Sequence, residues 1–587
     1  MRGTFFGLEI GRTGLSTAQF GLDVTGHNIS NLDTEGFTRQ RIVSTAYDPF
    51  STIGRFAPIG QGGLVGGGVR VQILDQIRSA YLDRRFRTES TAHAYWDTRA
   101  QSLSYIESFF DNINEKTSIN YSIAEFFRSM TIVAQDPIAG APRTLMQTAA
   151  MDLVQQLNNI YDGLIDFQSV ENKAVETKVG DINRMAKDLV ELNKAIYGFE
   201  LTGMIANDLR DKRNLLLDEL SRYIDIEYEE YPDAFGHSMM RLRIGGDTLV
   251  DHDYRNELAV GRIPNDLEGG EPKVIPYWSY RMDAILPRPA ADADDATWAT
   301  YRAAVQAALV ADWASENKDL SLDMDRVTGG ELKSHIDMRD GEGNGVDSTK
   351  RGIPYYIEMI NNLARSLVKE INEQHVQGWS DNPGGSETGI LFFNDRGAGT
   401  VRYYDEFDAL MDPDDPGFDM ENVAYARYEI ADEEDFRRIT AKNIDLSQAI
   451  KDSPYNIAAS AARIGRPGTP EELQRHNNEN MKLLYNLFRT TGITMLGKDI
   501  GSFDDYGTVI RFDVGNTLHT AKQAAETSRI LSLAAGNQRT SVAGVSLDEE
   551  MVGLVRYNHA YNGAARVITA MDDALDRLIN GTGRVGL

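Results

Sequence analysis

A chain of 587 residues exceeds what one hydrophobic core ordinarily serves, so several domains are expected. Its 41% hydrophobic and 25% charged residues are the mixture of a soluble globular protein. A formal charge of −28 argues against a nucleic-acid backbone or an anionic membrane surface as partner, since both need clustered Lys and Arg, and the absence of cysteine excludes disulfides, thiolate nucleophiles and Cys-based zinc sites.

The opening stretch MRGTFFGLEIGRTGLSTAQFGLDV is interrupted by Glu9, Arg12 and Asp23, so it holds neither a membrane-spanning run nor a signal-peptide core. Within it Leu8, Leu15, Leu22 and Ile29 recur every seventh residue, and the smaller Gly11, Ala18 and Thr25 follow three places after the first three. This spacing predicts a helix with a narrow, closely packing stripe, as in a coiled coil. The pattern stops after Asn28-Ile29-Ser30-Asn31, and Asp33 to Gly36 reads as a turn.

Residues 60–68 (GQGGLVGGG) form a Gly-rich bend, after which VRVQILDQI alternates. A helix is expected from about Ser79 to Phe110, carrying Tyr81, Phe86, Trp96, Leu103, Ile106 and Phe110. Helical periodicity continues from Ile123 to Tyr223 with a break at Asp136-Pro137. Alternation at 224–231 and 240–250 predicts a small sheet. Residues 263–325, rich in Pro, Ala and Asp, read as an insertion with an amphipathic helix near Trp298–Trp313. Helices follow at Pro354–Gln374, Pro470–Arg489 and Val514–Leu533, and the acidic, turn-rich 394–440 reads as a small outer region.

The far end answers the near one. Leu547, Leu554, Tyr561, Ile568 and Leu575 again fall seven apart, flanked by Met551, Ala564, Ala565, Met571 and Leu578. Ser546 and Glu549 suggest a capping box, and Gly581 and Gly583 a stop. The expected fold is therefore mainly α with smaller β-rich portions, its N- and C-terminal helices paired as a coiled coil. The expected inner coiled-coil domain takes residues 1–75 and 540–587. A helical middle domain takes 76–262, 326–393 and 441–539, with its β element near 224–262.

Little in the sequence points to chemistry. No two of the nine histidines stand three or four apart, and HExxH is absent. Gly60 and Gly62 invite a dinucleotide loop, but Val65 stands where the third Gly belongs and no P-loop Lys follows. The acidic stretches Asp337–Asn344 and Asp412–Asp419 lack the EF-hand register. No G-x-S-x-G elbow occurs. No catalytic, cofactor or metal residue is expected.

Two sets of residues carry a resemblance. Gly7-Leu8-Glu9-Ile10, Gly14-Leu15, Val24-Thr25-Gly26-His27-Asn28-Ile29-Ser30-Asn31, Gly36-Phe37 and Arg39-Gln40-Arg41 form the first. Ser541–Met551, Tyr557, Tyr561-Asn562, Arg566-Val567-Ile568 and Gly583-Arg584-Val585 form the second. Together they resemble the end signatures of the flagellar axial family of rod, hook and hook-associated proteins. Gly66–Val71, Asn207-Asp208-Leu209 with Asp211 and Arg213, Gly329–Leu332, and Asn372 with His375 are similar to its hook–filament junction branch. The likeness lapses over 263–325 and 394–440.

The resemblance implies a structural subunit, exported to the flagellum without a cleaved signal peptide, a route that a cysteine-free chain suits. It implies a ring of copies between hook and filament. The implied partners are the chain itself, the hook protein, a second junction protein on the filament side and an export chaperone on the C-terminal helix. The implied contacts are Leu8, Leu15, Leu22, Asn28, Ile29, Asn31, Leu547, Leu554, Tyr561, Ile568 and Leu575. A hook protein or other axial subunit, and an axial protein with an enzymatic insertion in 263–440, stay open as alternatives. Burying a Leu or Ile yields about 1.5–3 kcal/mol, so four such residues fall well short of the entropy of ordering their helix. The terminal helices are thus expected to be loose in a free monomer and to fold against neighbouring subunits.

Overall fold

The first heptad run folds as one helix, α1 (Phe6–Ser30). The computed structural model describes residues 6–47, 66–110, 118–315, 318–343, 351–382, 385–430, 432–465, 470–495 and 498–581. Residues 60–65 of the Gly-rich bend, Asn344 of the first acidic stretch and Gly583–Val585 lie outside them.

After α1 and a turn, β1 (Gln40–Ala46) pairs antiparallel with β2 (Val69–Gln76). The alternation in β2 was legible, but β1 was not, because its QRIVSTA run has no clean apolar face. The long body follows: α2 (Ala80–Phe110), α3 (Ile119–Gln135), α4 (Gly140–Glu200) and α5 (Asn207–Tyr223). Ser118 caps α3 by accepting from the Tyr121 amide, and the helix ends at the expected Asp136-Pro137 break. A second break, unforeseen, separates α4 from α5. There Gly203 takes a left-handed φ of 83°, which apolar periodicity does not report.

Four strands, β3 (Glu227–Pro232), β4 (Ser238–Ile244), β5 (Asp247–Asp251) and β6 (Tyr254–Arg255), form one antiparallel sheet. The stretch 240–250, read as β, is β4 and β5 joined by Gly245-Gly246, both with positive φ. A hairpin of β7 (Leu258–Ile263) and β8 (Lys273–Trp278) comes next. The expected boundary at 262/263 therefore falls inside β7. Next come α6 (Ser279–Ile285) and α7 (Asp295–Trp313). They pack Met282, Val305 and Leu309 against Ile263, Ile275 and Tyr277 in a small core of their own.

The chain returns through α8 (Glu331–Asp340) and α9 (Ile353–His375) to a three-stranded sheet of β9 (Thr400–Tyr404), β10 (Leu410–Met411) and β11 (Tyr425–Glu429). Ala426 and Tyr428 of β11, with Phe436 and Ile439 beyond it, join the main core, so 394–440 is fastened to the helices. After α10 (Gln448–Asp452) and α11 (Glu479–Asn486), β12 (Ile493–Met495) pairs with β13 (Lys498–Gly501). Helix α12 (Phe503–Ala543) then runs far beyond the expected Val514–Leu533, because Ser502 caps it early on the Asp505 amide. It lies antiparallel to α2, with Arg85 Nη1 3.0 Å from Gln538 Oε1 and Ser90 Oγ 3.0 Å from Ser532 Oγ. The last helix is α13 (Leu547–Gly581).

The main core joins α2, α3, α4, α9 and α12 through residues such as Leu103, Phe126, Phe127, Leu157, Leu363 and Ile510. A second core sets the lower half of α4 and α5 on the four-stranded sheet, through Val179, Ile182, Leu189, Leu217, Leu242 and Trp278.

Candidate subunit interface

Helix α1 presents Gly7, Gly11, Gly14, Ala18, Gly21, Thr25 and Asn28 at alternating spacings of four and three, one position before the Leu stripe. This small-residue face meets α13. A β-carbon at Gly11 would stand 2.7 Å from Ile568 Cγ1, one at Gly14 3.5 Å from the Ala564 β-carbon, and one at Gly21 2.5 Å from Cδ1 of the Tyr557 ring. Gly7 faces Met571, and Gly553 faces Thr25. The two helices therefore run antiparallel, their axes brought close by the missing side chains.

The expected contact residues stand about 100° around the helix from this seam. Leu8, Leu15, Leu22 and Ile29 are half-buried on its flank, as are Leu554, Tyr561, Ile568 and Leu575 on α13, while Leu547 is exposed. Only Ile568 of these is seen against the α1 glycines. Among the described residues of α13, Glu550 alone is buried; Met551, Val552, Val555, Val567, Leu578 and Ile579 face outward. Val552 is 70% and Ile579 65% exposed. Pairing thus leaves apolar surface open along both helices.

Asn28, expected at a contact between subunits, lies buried within the chain. It is 1% exposed and spends its amide within the chain. Its Nδ2 donates to the Gln40 carbonyl at 2.8 Å and to Glu550 Oε2 at 3.1 Å, and its Oδ1 accepts from the Gln40 amide at 3.1 Å. Both amide hydrogens and one acceptor site are thus satisfied inside the chain. Asn31 closes the end of α1, donating to the His27 carbonyl at 3.0 Å and accepting from Thr34 Oγ1 at 3.1 Å.

Asn28 belongs to a wider polar hub that sequence reasoning missed. Arg39 donates through Nε to Glu550 Oε1 at 2.7 Å and also binds Glu549. Glu549 is thereby drawn away from the capping box expected with Ser546. On the other side the first turn of α5 docks on the β1–β2 hairpin. Asp208 Oδ1 accepts from Gln40 Nε2 at 2.8 Å, and Asp211 accepts from the Thr38 amide at 2.9 Å and Gln76 Nε2 at 3.0 Å. Asn207 Nδ2 donates to the Leu74 carbonyl at 3.2 Å and to Gln40 Oε1 at 3.3 Å. Burial pushes the Asp211 carboxyl above its ordinary range, against the opposing donors Thr38, Arg78 and Gln76. The signal for this hub in the sequence was that Asn28, Arg39, Gln40, Asn207, Asp208, Asp211, Glu549 and Glu550 all belong to the resemblance.

A cleft of about 910 Å³ opens beside the hub, and three of its arginines pair with acids of the same chain. Arg87 Nε pairs with Asp218 at 2.7 Å, Arg210 Nε with Glu200 at 2.7 Å, and Arg213 with Glu230. Among the described residues no three His, Asp or Glu gather as a metal site, and no helix is long and apolar enough to cross a membrane.

Comparison with known proteins agrees with this arrangement of ends and body. The family model "Flagella basal body rod protein" matches residues 8–38, and "Flagellar basal body rod FlgEFG protein C-terminal" matches 537–581, so the two cover α1 and α13. "Flagellar hook-associated protein FlgK helical domain" matches 103–274. The paired ends and the helical middle are thus the parts that resemble flagellar axial proteins.

Full-length similarity narrows the class. The chain is 27% identical to flagellar hook-associated protein 1 of Bacillus subtilis, over 99% of each. It is 23% identical to flagellar hook-associated protein 1 of Salmonella typhimurium, over 97% of this chain and 98% of that one. The same protein of Escherichia coli is also 23% identical. The flagellar hook junction protein FlgK from Burkholderia pseudomallei shares the fold at a TM-score of 0.51 and 13% identity, covering 79% of this chain and 100% of its own. The chain is a full-length homologue of the hook-associated protein 1 group, FlgK, whose members are structural components of the flagellum.

Proposed function

We propose that this chain is the subunit that joins hook to filament, and that it acts by packing and not by catalysis. The observation that carries the reading is the state of the terminal pair. α1 and α13 close along a glycine seam yet leave Leu8, Leu15, Leu22, Leu554, Tyr561 and Leu575 half-covered, with Val552 and Ile579 open. A surface of that kind on a soluble chain calls for a partner, and in a ring the partner is another copy of the same pair. Torque then passes through packed helices without chemistry.

The finer plan follows from the same reading. The inner domain comprises 1–75 with 540–587, and the remaining helices and small sheets make the middle and outer parts. Hook protein meets one side of the ring, and a second junction protein and the filament meet the other. The chain leaves the cell through the flagellar export route, its C-terminal helix held by a chaperone until assembly. It needs neither nucleic acid nor membrane. Electron microscopy of a deletion strain tests this: hooks without filaments, and flagellin shed into the medium, are expected. Cells without hooks would point instead to a hook or rod subunit, and hooks bearing normal filaments would overturn the reading.

A further inference from the structure

Among the described residues the chain passes twice between the terminal unit (α1, β1, β2 and α13) and the long-helix body: at residues 77–79, between β2 and α2, and at 544–546, between α12 and α13. Two short single-chain connections leave a joint free to bend. Hydrogen bonds span the joint elsewhere. The Arg39 amide donates to the Ala543 carbonyl at 2.9 Å, and Arg78 Nη1 donates to Thr38 Oγ1 at 3.2 Å. The densest contact is the first turn of α5, where Asn207, Asp208 and Asp211 hydrogen-bond to Thr38, Gln40, Leu74 and Gln76. The Asn207 carbonyl adds a further acceptor for Gln76 Nε2 at 3.1 Å. Thr38, Gln40, Asn207 and Asp211 are each under 7% exposed. Leu215 adds an apolar touch, sitting 3.4 Å from where a β-carbon on Gly36 would stand.

We propose that the first turn of α5 is a latch that fixes the angle between the terminal helix pair and the body. Hydrogen bonds fix direction where apolar contact would permit sliding. They also exchange readily for water, so the contact can open without exposing a core. Both units keep their own interiors when it does: the seam of α1 and α13 lies on one side, and the second core, with Leu217 and Leu220 of α5, on the other. The latch thus holds one bend while closed and permits a range of bends once released. The inference rests on the geometry of the joint and stands whether or not the chain forms the hook–filament junction.

The test uses the full chain, which contains no native cysteine, so two introduced thiols are the sole labelling sites. Spin labels at Ala195→Cys on α4 and Asp23→Cys on α1 near its tied base, both exposed positions, report the angle as a distance distribution. The parent is expected to give one narrow distribution. Asn207→Ala/Asp211→Ala, and separately Gln40→Ala from the hairpin side, are each expected to broaden it by about twofold or more with helical circular dichroism unchanged. A parent distribution already broad would overturn the latch. So would both variants remaining as narrow as the parent, or broadening by the α5 variant alone, which would report damage to that helix.

Discussion

Asn28 Nδ2 lies 3.1 Å from Glu550 Oε2, a hydrogen bond between residues 522 positions apart in the chain. It closes the base of the terminal pair, and Arg39 completes it by binding the other carboxylate oxygen. Glu550 is 4% exposed, so removing either partner strands a buried polar group in place of merely losing a contact. Glu550→Ala is expected to destabilise the chain by about 2–4 kcal/mol, and Asn28→Ala by about 1–3 kcal/mol. A double-mutant cycle in urea should return a coupling of about 1 kcal/mol or more. Additive effects would mean that the two do not act together.

The seam makes a separate prediction at Gly21. A β-carbon there would meet the Tyr557 ring, with Cδ1 and Cε1 at 2.5 and 2.6 Å, and a ring cannot bend aside as a Met tail can. Gly21→Ala should therefore cost about 1–3 kcal/mol even though Ala is the better helix former. Gly7→Ala, which meets only the end of Met571, should cost less. Thermal melts of the two variants give the comparison, and an equal loss would contradict the close approach of α1 and α13 at Gly21.

A pH effect is expected from the body. His375 is fully buried, its Nδ1 2.7 Å from the Ile390 carbonyl and its Nε2 accepting from the Ala458 amide at 2.8 Å. Burial pushes its pKa down to about 4 from 6.5. The unfolded chain takes up that proton near 6.5 and the folded one does not until about 4, so the stabilisation is complete above pH 6.5 and lost as pH falls through this window. The loss reaches about 3 kcal/mol. Chemical denaturation followed between about pH 7 and 4 should show it, and His375→Gln should flatten the slope by close to one proton. An unchanged slope in the variant would show that this imidazole is not the group responsible.

Much of the fold was legible because long amphipathic helices write their period into the chain. The helix read at Ser79–Phe110 is α2 (Ala80–Phe110), and that read at Pro354–Gln374 is α9 (Ile353–His375). The terminal helices were legible in the same way, but their packing face was not. Leu8, Leu15, Leu22 and Ile29 dominate a hydrophobicity reading, whereas the contact is made one position earlier by Gly7, Gly14 and Gly21, which carry no apolar side chain to count. The hub was illegible for another reason. Thr38 and Asp211 are 173 residues apart, and Arg39 and Glu550 are 511 apart, and neither polar pair follows any local period. Only the three-dimensional fold brings them together.

The sequence predicts that both terminal helices are loose until assembled, and the structure divides that expectation along their length. The base at Asn28, Arg39 and Glu550 is tied by buried bonds, whereas beyond Glu550 no described residue of α13 is buried. Amide hydrogen exchange along α13, compared between dilute monomer and protein assembled on hooks, tests whether this helix awaits like subunits. Rapid exchange over 560–581 is expected in the monomer, slowing by about 100-fold or more on assembly. Protection already complete in the monomer and unchanged on hooks would contradict it.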